Sequence, residues 1–128
     1  MVTVTLSCPI FPSEDPKKVR DAVNRIFPGA ELTEGDGEIY GPVSLDNFSK
    51  MIRRQQILDT TRSVLFKGMR DNRTLMRLNK QVATVGKVSF AEPRSILGAI
   101  EVVIEDDNLE AFIDRLAPET VDGKEVFR

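Results

Sequence analysis

The side chains of this chain that could do chemistry are basic, and they concentrate in its middle third. Between residues 50 and 94 there are eleven lysines and arginines against three acids, a local net charge of +8, whereas the whole chain of 128 residues carries −2. A local excess of this size can hold a polyanion even when the total charge is near zero. Two explanations stay open: the segment forms a phosphate-binding surface, or its bases neutralise acids that folding brings close.

Seven side chains in or just after the centre of this segment are predicted to bind RNA. The arginines and lysines would hold phosphates, while the amides would read exposed bases or 2′-hydroxyls. These residues are Arg70, Arg73, Arg77, Asn79, Lys80, Gln81 and Lys87. Lys80 is expected to reach a ligand, because a lysine ammonium is seldom fully buried.

Some of the same polar residues have a structural alternative. Side chains of the long helix that precedes residue 68 could tie that helix to the turn at residues 79–81, since buried polar groups must find hydrogen bonds. The helix residues concerned are Gln56, Asp59 and Arg62. We expect Arg62 to be structural, Lys80 to bind and Asn79 to lie between the two.

Catalysis and metal binding receive little support from the residue types. The chain has no histidine, which excludes Ser-His-Asp and Cys-His arrangements and leaves zinc only carboxylates and one thiol. Gly86-Lys87 resembles the end of a phosphate-binding P-loop, but Gln81 stands where the first glycine is required. The acids at 105–107 suit a helix cap better than a metal site. We therefore predict a non-enzymatic protein without metal, cofactor or evident small-molecule substrate.

The bulk composition is typical of one globular domain over residues 1–128. Hydrophobic residues make up 41% of the chain and charged residues 30%. No apolar run approaches the roughly 20 residues that a membrane-spanning helix needs. The single cysteine, Cys8, is expected to pack as a small buried hydrophobe in a protein of the reducing cytoplasm.

The pattern of apolar residues and turn signals predicts an α+β fold in the order β-α-ββ-α-βββ-α. The short links favour an antiparallel sheet with helices packed on one face. Strands are predicted over 2–7, 30–33, 38–43, 74–79, 85–90 and 96–105, and helices over 16–26, 44–68 and 109–116. Gly35-Asp36-Gly37 is predicted to turn the first hairpin, because it can supply positive φ angles.

The long helix over 44–68 carries a second apolar stripe. Ile57 and Val64, seven residues apart, lie on roughly the opposite side from the main stripe. A second stripe indicates another neighbour, either an element of the same domain or a second subunit. We predict that Ile57 and Val64 line a homodimer interface. The alternative function that follows is a dimeric interaction module whose basic strip meets an acidic partner surface.

Three segments resemble a family of small archaeal proteins grouped as RNA-binding or exosome-associated. They are Gln56-Ile-Leu-Asp59-Thr-Thr-Arg62, Leu78-Asn79-Lys80-Gln81-Val-Ala and Gly86-Lys-Val-Ser-Phe90, and the closing run over 116–123 fits as well. The resemblance covers essentially the whole chain. It implies RNA binding, a dimer and a fold like that of the fifth large-subunit ribosomal protein. Tyr40 and Phe90 are the nearest aromatics to the basic region, so we expect weakly selective RNA binding.

Overall fold

Five antiparallel strands form one sheet, which confirms the predicted α+β class; across the sheet they stand in the order Thr33–Gly35, Glu38–Pro42, Thr3–Pro9, Ile100–Glu105 and Arg73–Leu78. The computed structural model describes residues 2–91, 98–121 and 124–125. Arg94, residues 96–97 of a predicted strand and residues 122–123 lie outside the described residues. The strands are β1 (Thr3–Pro9), β2 (Thr33–Gly35), β3 (Glu38–Pro42), β4 (Arg73–Leu78) and β5 (Ile100–Glu105), with β6 (Thr120–Val121) and β7 (Lys124–Glu125) in a separate pair. The helices are α1 (Pro16–Ile26), α2 (Asp46–Arg54), α3 (Leu58–Lys67), α4 (Lys80–Ala83) and α5 (Leu109–Leu116).

The sheet has one covered face and one open face, because its strands bury alternate side chains. On β1, Leu6 and Cys8 are fully buried, whereas Thr3 and Thr5 are exposed and Ser7, between the two buried residues, is half-buried. The covered face meets the apolar sides of the helices in one core, where Phe27 and Phe48 stack with ring centroids 6.3 Å apart. The open face therefore carries the side chains that a ligand crossing the sheet would meet.

The local signals for α1 and for the first hairpin are confirmed. Asp15 caps α1, its Oδ1 accepting a hydrogen bond from the Lys17 N–H at 3.0 Å, and Pro16 occupies the first helical position. Between β2 and β3, Asp36 and Gly37 have φ angles of +51° and +75°. Two successive positive φ angles are the geometry of a tight turn whose twist matches that of the sheet.

The prediction of one helix over 44–68 is wrong, since two helices, α2 and α3, meet at a break. Gln56 has φ +58°, the Ile57 N–H bonds the Ile52 carbonyl at 3.0 Å, and the Gln56 N–H bonds the Arg53 carbonyl at 3.1 Å. This pair of bonds is a Schellman motif, with glutamine at the left-handed position that is usually glycine. No helix within the described ranges is long and apolar enough to cross a membrane.

The break also removes the argument for a second apolar stripe. Ile57 and Val64 are half-buried and pack against the core, so their assignment as residues too far round the helix to reach it is wrong. The physical reason is that α3 takes a new direction after Gln56, so positions on the two helices cannot be projected onto one wheel. Dimerisation itself stays a prediction.

The strand predicted over 85–90 is wrong as well. After β4, Asn79 begins the short helix α4, and the chain then turns through Gly86, which has φ +75°. Only a bridge between Leu78 and Phe90 remains, flanked by bonds from the Asn79 N–H to Ser89 and from the Ala91 N–H to Arg77. Residues 84–88 thus form a loop, which we call the 84–88 loop, beside the outer edge of β4.

Candidate nucleic-acid interface

The Gln55 side chain at the end of α2 clamps the 84–88 loop. Its Nε2 donates to the Val88 carbonyl at 2.8 Å, and its Oε1 accepts from the Val88 N–H at 2.7 Å. The Gln55 side-chain amide therefore satisfies both the N–H and the carbonyl of Val88, as a neighbouring strand would. Because Arg54 precedes Gln55 and Lys87 precedes Val88, the clamp holds the backbone positions of two exposed cations close together.

A third cation reaches the same loop from the last turn of α1. The Nη1 atom of Arg25 lies 4.0 Å from the point that a Cβ atom on Gly86 would occupy. We call Arg25, Arg54 and Lys87 the basic cluster. All three are exposed, and none of them forms an ion pair within the part of the chain that the structure describes. Their charge is therefore available to a ligand.

Arg73 and Arg77 lie on the open face of the sheet, pointing away from the core. Each stands opposite a glutamate of β5 in the strand register, Arg73 with Glu105 at 3.9 Å and Arg77 with Glu101 at 3.5 Å. Opposite charges on neighbouring strands attract one another. A phosphate would have to compete with these carboxylates, so the two arginines offer less free charge than the basic cluster does.

Arg70 lies in the turn before β4, at the opposite end of that strand from Lys87. Its guanidinium Nη1 donates to the Met69 carbonyl at 2.7 Å and to the Lys67 carbonyl at 3.3 Å. The side chain is exposed, but it folds back over the end of α3. The structure thus distributes the predicted arginines along β4 and does not gather them at one point.

The expectation that the Lys80 ammonium points outward is wrong. Lys80 is 7% exposed, and its Nζ donates to the Pro9 carbonyl at 2.7 Å and to Glu14 Oε1 at 2.8 Å, with the Phe11 ring 5.5 Å away. A lysine can be buried when a carboxylate and other acceptors surround its ammonium. Lys80 therefore fixes the start of α4 to the loop after β1.

The neighbours of Lys80 in the same motif have different surroundings. Asn79 is half-buried and caps α4, its Oδ1 accepting a hydrogen bond from the Val82 N–H at 3.0 Å. Gln81 is exposed, and its side-chain amide makes no hydrogen bond within the described residues. Of the predicted motif at 79–81, only the Gln81 side chain is thus placed to reach a ligand.

The prediction that residues 56–62 hydrogen-bond to the turn at 79–81 is wrong, because Arg62 and Asp59 have other partners. Arg62 donates to Asp114 at 2.6 Å, to Glu119 at 3.4 Å and to the Ala117 carbonyl at 3.3 Å. Asp59 accepts a hydrogen bond from the Thr120 hydroxyl at 2.7 Å. These bonds support the structural role expected of Arg62, but they fasten α3 to α5 and to the segment that follows it.

Cys8 packs in the core as predicted. It is fully buried on β1, and desolvation raises the pKa of its thiol to about 11, although the positive charge of Lys80 opposes that shift. A neutral thiol without solvent access is a poor nucleophile. Cys8 therefore has no part in the candidate interface.

Sequence reasoning missed two members of the basic cluster. Arg54 was counted in the basic segment but not in the predicted site, because the helix predicted over 44–68 gave no reason to place it beside Lys87. Arg25 lies outside the segment altogether. One signal that could have drawn attention to the loop is Gly86, because its φ of +75° is a conformation that glycine adopts readily and that marks a turn.

Comparison with known proteins finds sequence relatives along nearly the whole chain. A family model described as RNA binding matches residues 3–106. A UPF0200/UPF0201 protein of Archaeoglobus fulgidus is 40% identical over 129 residues, which cover 98% of this chain but only 40% of that longer protein. A UPF0201 protein of Methanopyrus kandleri is 38% identical over 97% of this chain and 89% of its own length.

Solved structures agree with the fold described above. A UPF0201 protein of Methanococcus jannaschii, known from a 2.2 Å crystal structure, superimposes with a TM-score of 0.89 at 38% identity and covers 98% of this chain and 99% of its own. A DUF54 protein of Archaeoglobus fulgidus, at 20% identity and a TM-score of 0.66 over 93% of this chain and 97% of its own, is similar in fold alone. The likeness to the fifth ribosomal protein and the exosome association stay predictions.

Proposed function

The chain belongs to the archaeal UPF0201 family, whose family model is described as RNA binding, and on that premise we propose that it binds RNA through the basic cluster. The observation that carries the proposal is that Arg25 and the Gln55 clamp both meet the 84–88 loop, so that Arg25, Arg54 and Lys87 come to one loop from three separate elements. None of the three pairs with an acid among the described residues. Exposed cations that have no carboxylate partner release counterions from a phosphate backbone when they bind it. The role is one of binding, and we assign no reaction to the protein.

The three cations suit a phosphate backbone in complementary ways. The guanidinium groups of Arg25 and Arg54 can each donate two parallel hydrogen bonds to one phosphate, whereas Lys87 acts as a mobile point charge. The Gln55 clamp holds Lys87 near Arg54 before any ligand arrives, so less conformational entropy is lost on binding. Backbone contacts of this kind carry no sequence information by themselves.

The other predicted residues take secondary roles in this proposal. Arg73 and Arg77 extend the positive surface onto the open face of the sheet, but their ion pairs with β5 weaken their contribution. Arg70 adds charge at the far end of β4. Asn79 and Lys80 act indirectly, because they hold α4 and the loop that follows it in place.

The proposal is tested by RNA affinity in charge-matched variants. The Arg54→Gln/Lys87→Gln variant should bind a mixed-sequence single-stranded RNA on the order of a hundredfold more weakly or worse, because each of the two charged hydrogen bonds contributes about 1.5–3 kcal/mol. Lys17→Gln/Lys67→Gln removes the same charge from exposed positions outside the cluster and should bind nearly as the wild type does. Fluorescence anisotropy at fixed salt measures the RNA affinity of the wild type and of both variants.

Two results would overturn the proposal. One is undiminished RNA affinity in a folded Arg54→Gln/Lys87→Gln variant. The other is a wild-type protein that binds no RNA, for example one that carries no ribonuclease-sensitive absorbance at 260 nm and shows no anisotropy change. If that protein binds an acidic protein partner and loses it in the same variant, the interaction-module alternative replaces RNA binding.

A further inference from the structure

A cavity of about 330 Å³ lies between α1 and α4. Val19 and Ala22 give the cavity an apolar part. The other lining residues are polar or charged: Ser13, Glu14, Asp15, Lys18, Lys80, Gln81 and Thr84. Of the two acids, Glu14 is paired with Lys80 and Asp15 caps α1. The volume is at the lower end of the range for small-ligand sites, which begins at about 300 Å³. The cavity is therefore large enough for a ring-sized group and too small for a folded partner.

The cavity adjoins the basic cluster. Lys18, Ala22 and Arg25 are spaced by four and three residues on α1, so they lie along one side of that helix. Lys18 and Ala22 line the cavity, and the Arg25 guanidinium reaches Gly86. On the other wall, Thr84 lines the cavity at the start of the 84–88 loop, which carries Lys87. Lys18 therefore lines the cavity itself, and Arg25 lies about one turn beyond Ala22 on the same side of α1.

The lining has the chemistry of a nucleobase site. A flat heteroaromatic ring needs an apolar surface against its face and a donor and an acceptor at its edge. Val19 and Ala22 supply the apolar surface. The Gln81 side-chain amide, which makes no hydrogen bond within the described residues, supplies both a donor and an acceptor.

We propose that this cavity receives one unpaired base of the RNA whose phosphates the basic cluster holds, so that the preferred ligand is a single strand. The inference rests on the proposed function and adds base selection to it. Bases within an A-form duplex are stacked and paired, and side chains cannot take them up whole, whereas single-stranded bases can be splayed out and read at their edges.

The test compares the affinities of ten-nucleotide oligo(A), oligo(C) and oligo(U), measured by anisotropy at one salt concentration. Wild-type protein should prefer one base over the poorest by roughly 5- to 100-fold, the discrimination expected of a two-bond contact to a base edge. Gln81→Ala should reduce that ratio towards one, chiefly by lowering the affinity for the preferred oligonucleotide. Ser13→Trp, which fills the cavity from an exposed position, should do the same, whereas Ser63→Trp on the exposed side of α3 should not.

The outcomes separate this inference from the proposed function. Equal wild-type affinity for all three oligonucleotides overturns the base site and leaves RNA binding by the cluster intact. Full discrimination in a folded Gln81→Ala or Ser13→Trp variant overturns it too. Because Gln81 is an exposed helical residue, its replacement by alanine keeps the test decisive even if Ser13→Trp fails to fold. Absence of any RNA binding contradicts both proposals.

Discussion

Lys80 and Glu14 form a largely buried ion pair that joins two distant parts of the chain. Their side chains are 7% and 12% exposed, and 66 residues separate them in sequence. Glu14 also accepts a hydrogen bond from the Phe11 N–H at 3.0 Å. The pair thus connects the loop after β1 to the first residue of α4, which leads into the 84–88 loop and the basic cluster.

Replacing Lys80 by alanine is predicted to lower the free energy of unfolding by about 3–5 kcal/mol, because Glu14 is left buried and unpaired. Lys17→Ala, which removes an equal charge from an exposed position, should change stability by at most about 0.5 kcal/mol. Urea denaturation measures both. A Lys80→Ala variant that is as stable as wild type and binds RNA weakly would show instead that the ammonium serves the ligand.

Two arginines of the basic segment serve the end of α5. Arg53 donates to the Arg115 and Leu116 carbonyls, each at 3.2 Å, and Arg62 donates to the Ala117 carbonyl at 3.3 Å. Carbonyls at the end of a helix have no partner within the helix and attract cations. Nothing in the sequence distinguishes these arginines from Arg54, because the helix end that they serve lies about 60 residues further on.

At the level of elements, the adjacent glutamines at the end of α2 have opposite roles. Gln55 clamps the 84–88 loop through its side chain, while Gln56 turns the backbone and leaves its side chain exposed. The first residue therefore connects α2 to the basic cluster. The second sets the angle between α2 and α3.

Gln55→Ala is predicted to cost about 1–3 kcal/mol of stability, because the buried Val88 loses both of its backbone partners. It should also weaken RNA binding, since Lys87 is no longer held beside Arg54. Gln56→Ala is the matched control and should leave both properties near wild type. Thermal unfolding measures the stability of the two variants, and anisotropy measures their RNA affinity. Equal stability and equal affinity of the two variants would contradict the proposed role of the Gln55 clamp.

Elements whose signals are local could be predicted from the sequence, and those set by distant contacts could not. The Asp15 cap with Pro16 and the Asp36-Gly37 turn each lie within a few residues, and the structure contains both. The break at Gln56 was missed because glutamine seldom adopts a left-handed conformation. The 84–88 loop was missed because Val85, Val88 and Phe90 are residue types that strands favour, although Val85 is 68% exposed.

For the molecule as a whole, folding neutralises much of the charge that the sequence concentrates between residues 50 and 94. Among the described bases of that segment, at least four pair with acids from outside it. The pairs are Arg62–Asp114, Arg73–Glu105, Arg77–Glu101 and Lys80–Glu14. Some bases of this segment therefore neutralise acids that folding brings close, whereas others are proposed to bind phosphates. The site could be predicted in part only, because a count of charges along the chain does not show which of them folding pairs.

The measurement that tests this account most directly is the salt dependence of RNA binding in two doubly substituted variants. Each phosphate contact contributes about 0.7 to the log–log slope on a single strand, so Arg54→Gln/Lys87→Gln should reduce the slope by about 1.4. Arg73→Gln/Arg77→Gln removes the same charge from ion-paired positions on the open face and should reduce it by clearly less. An equal or larger reduction in the Arg73→Gln/Arg77→Gln variant would contradict the assignment of the basic cluster as the phosphate-binding site.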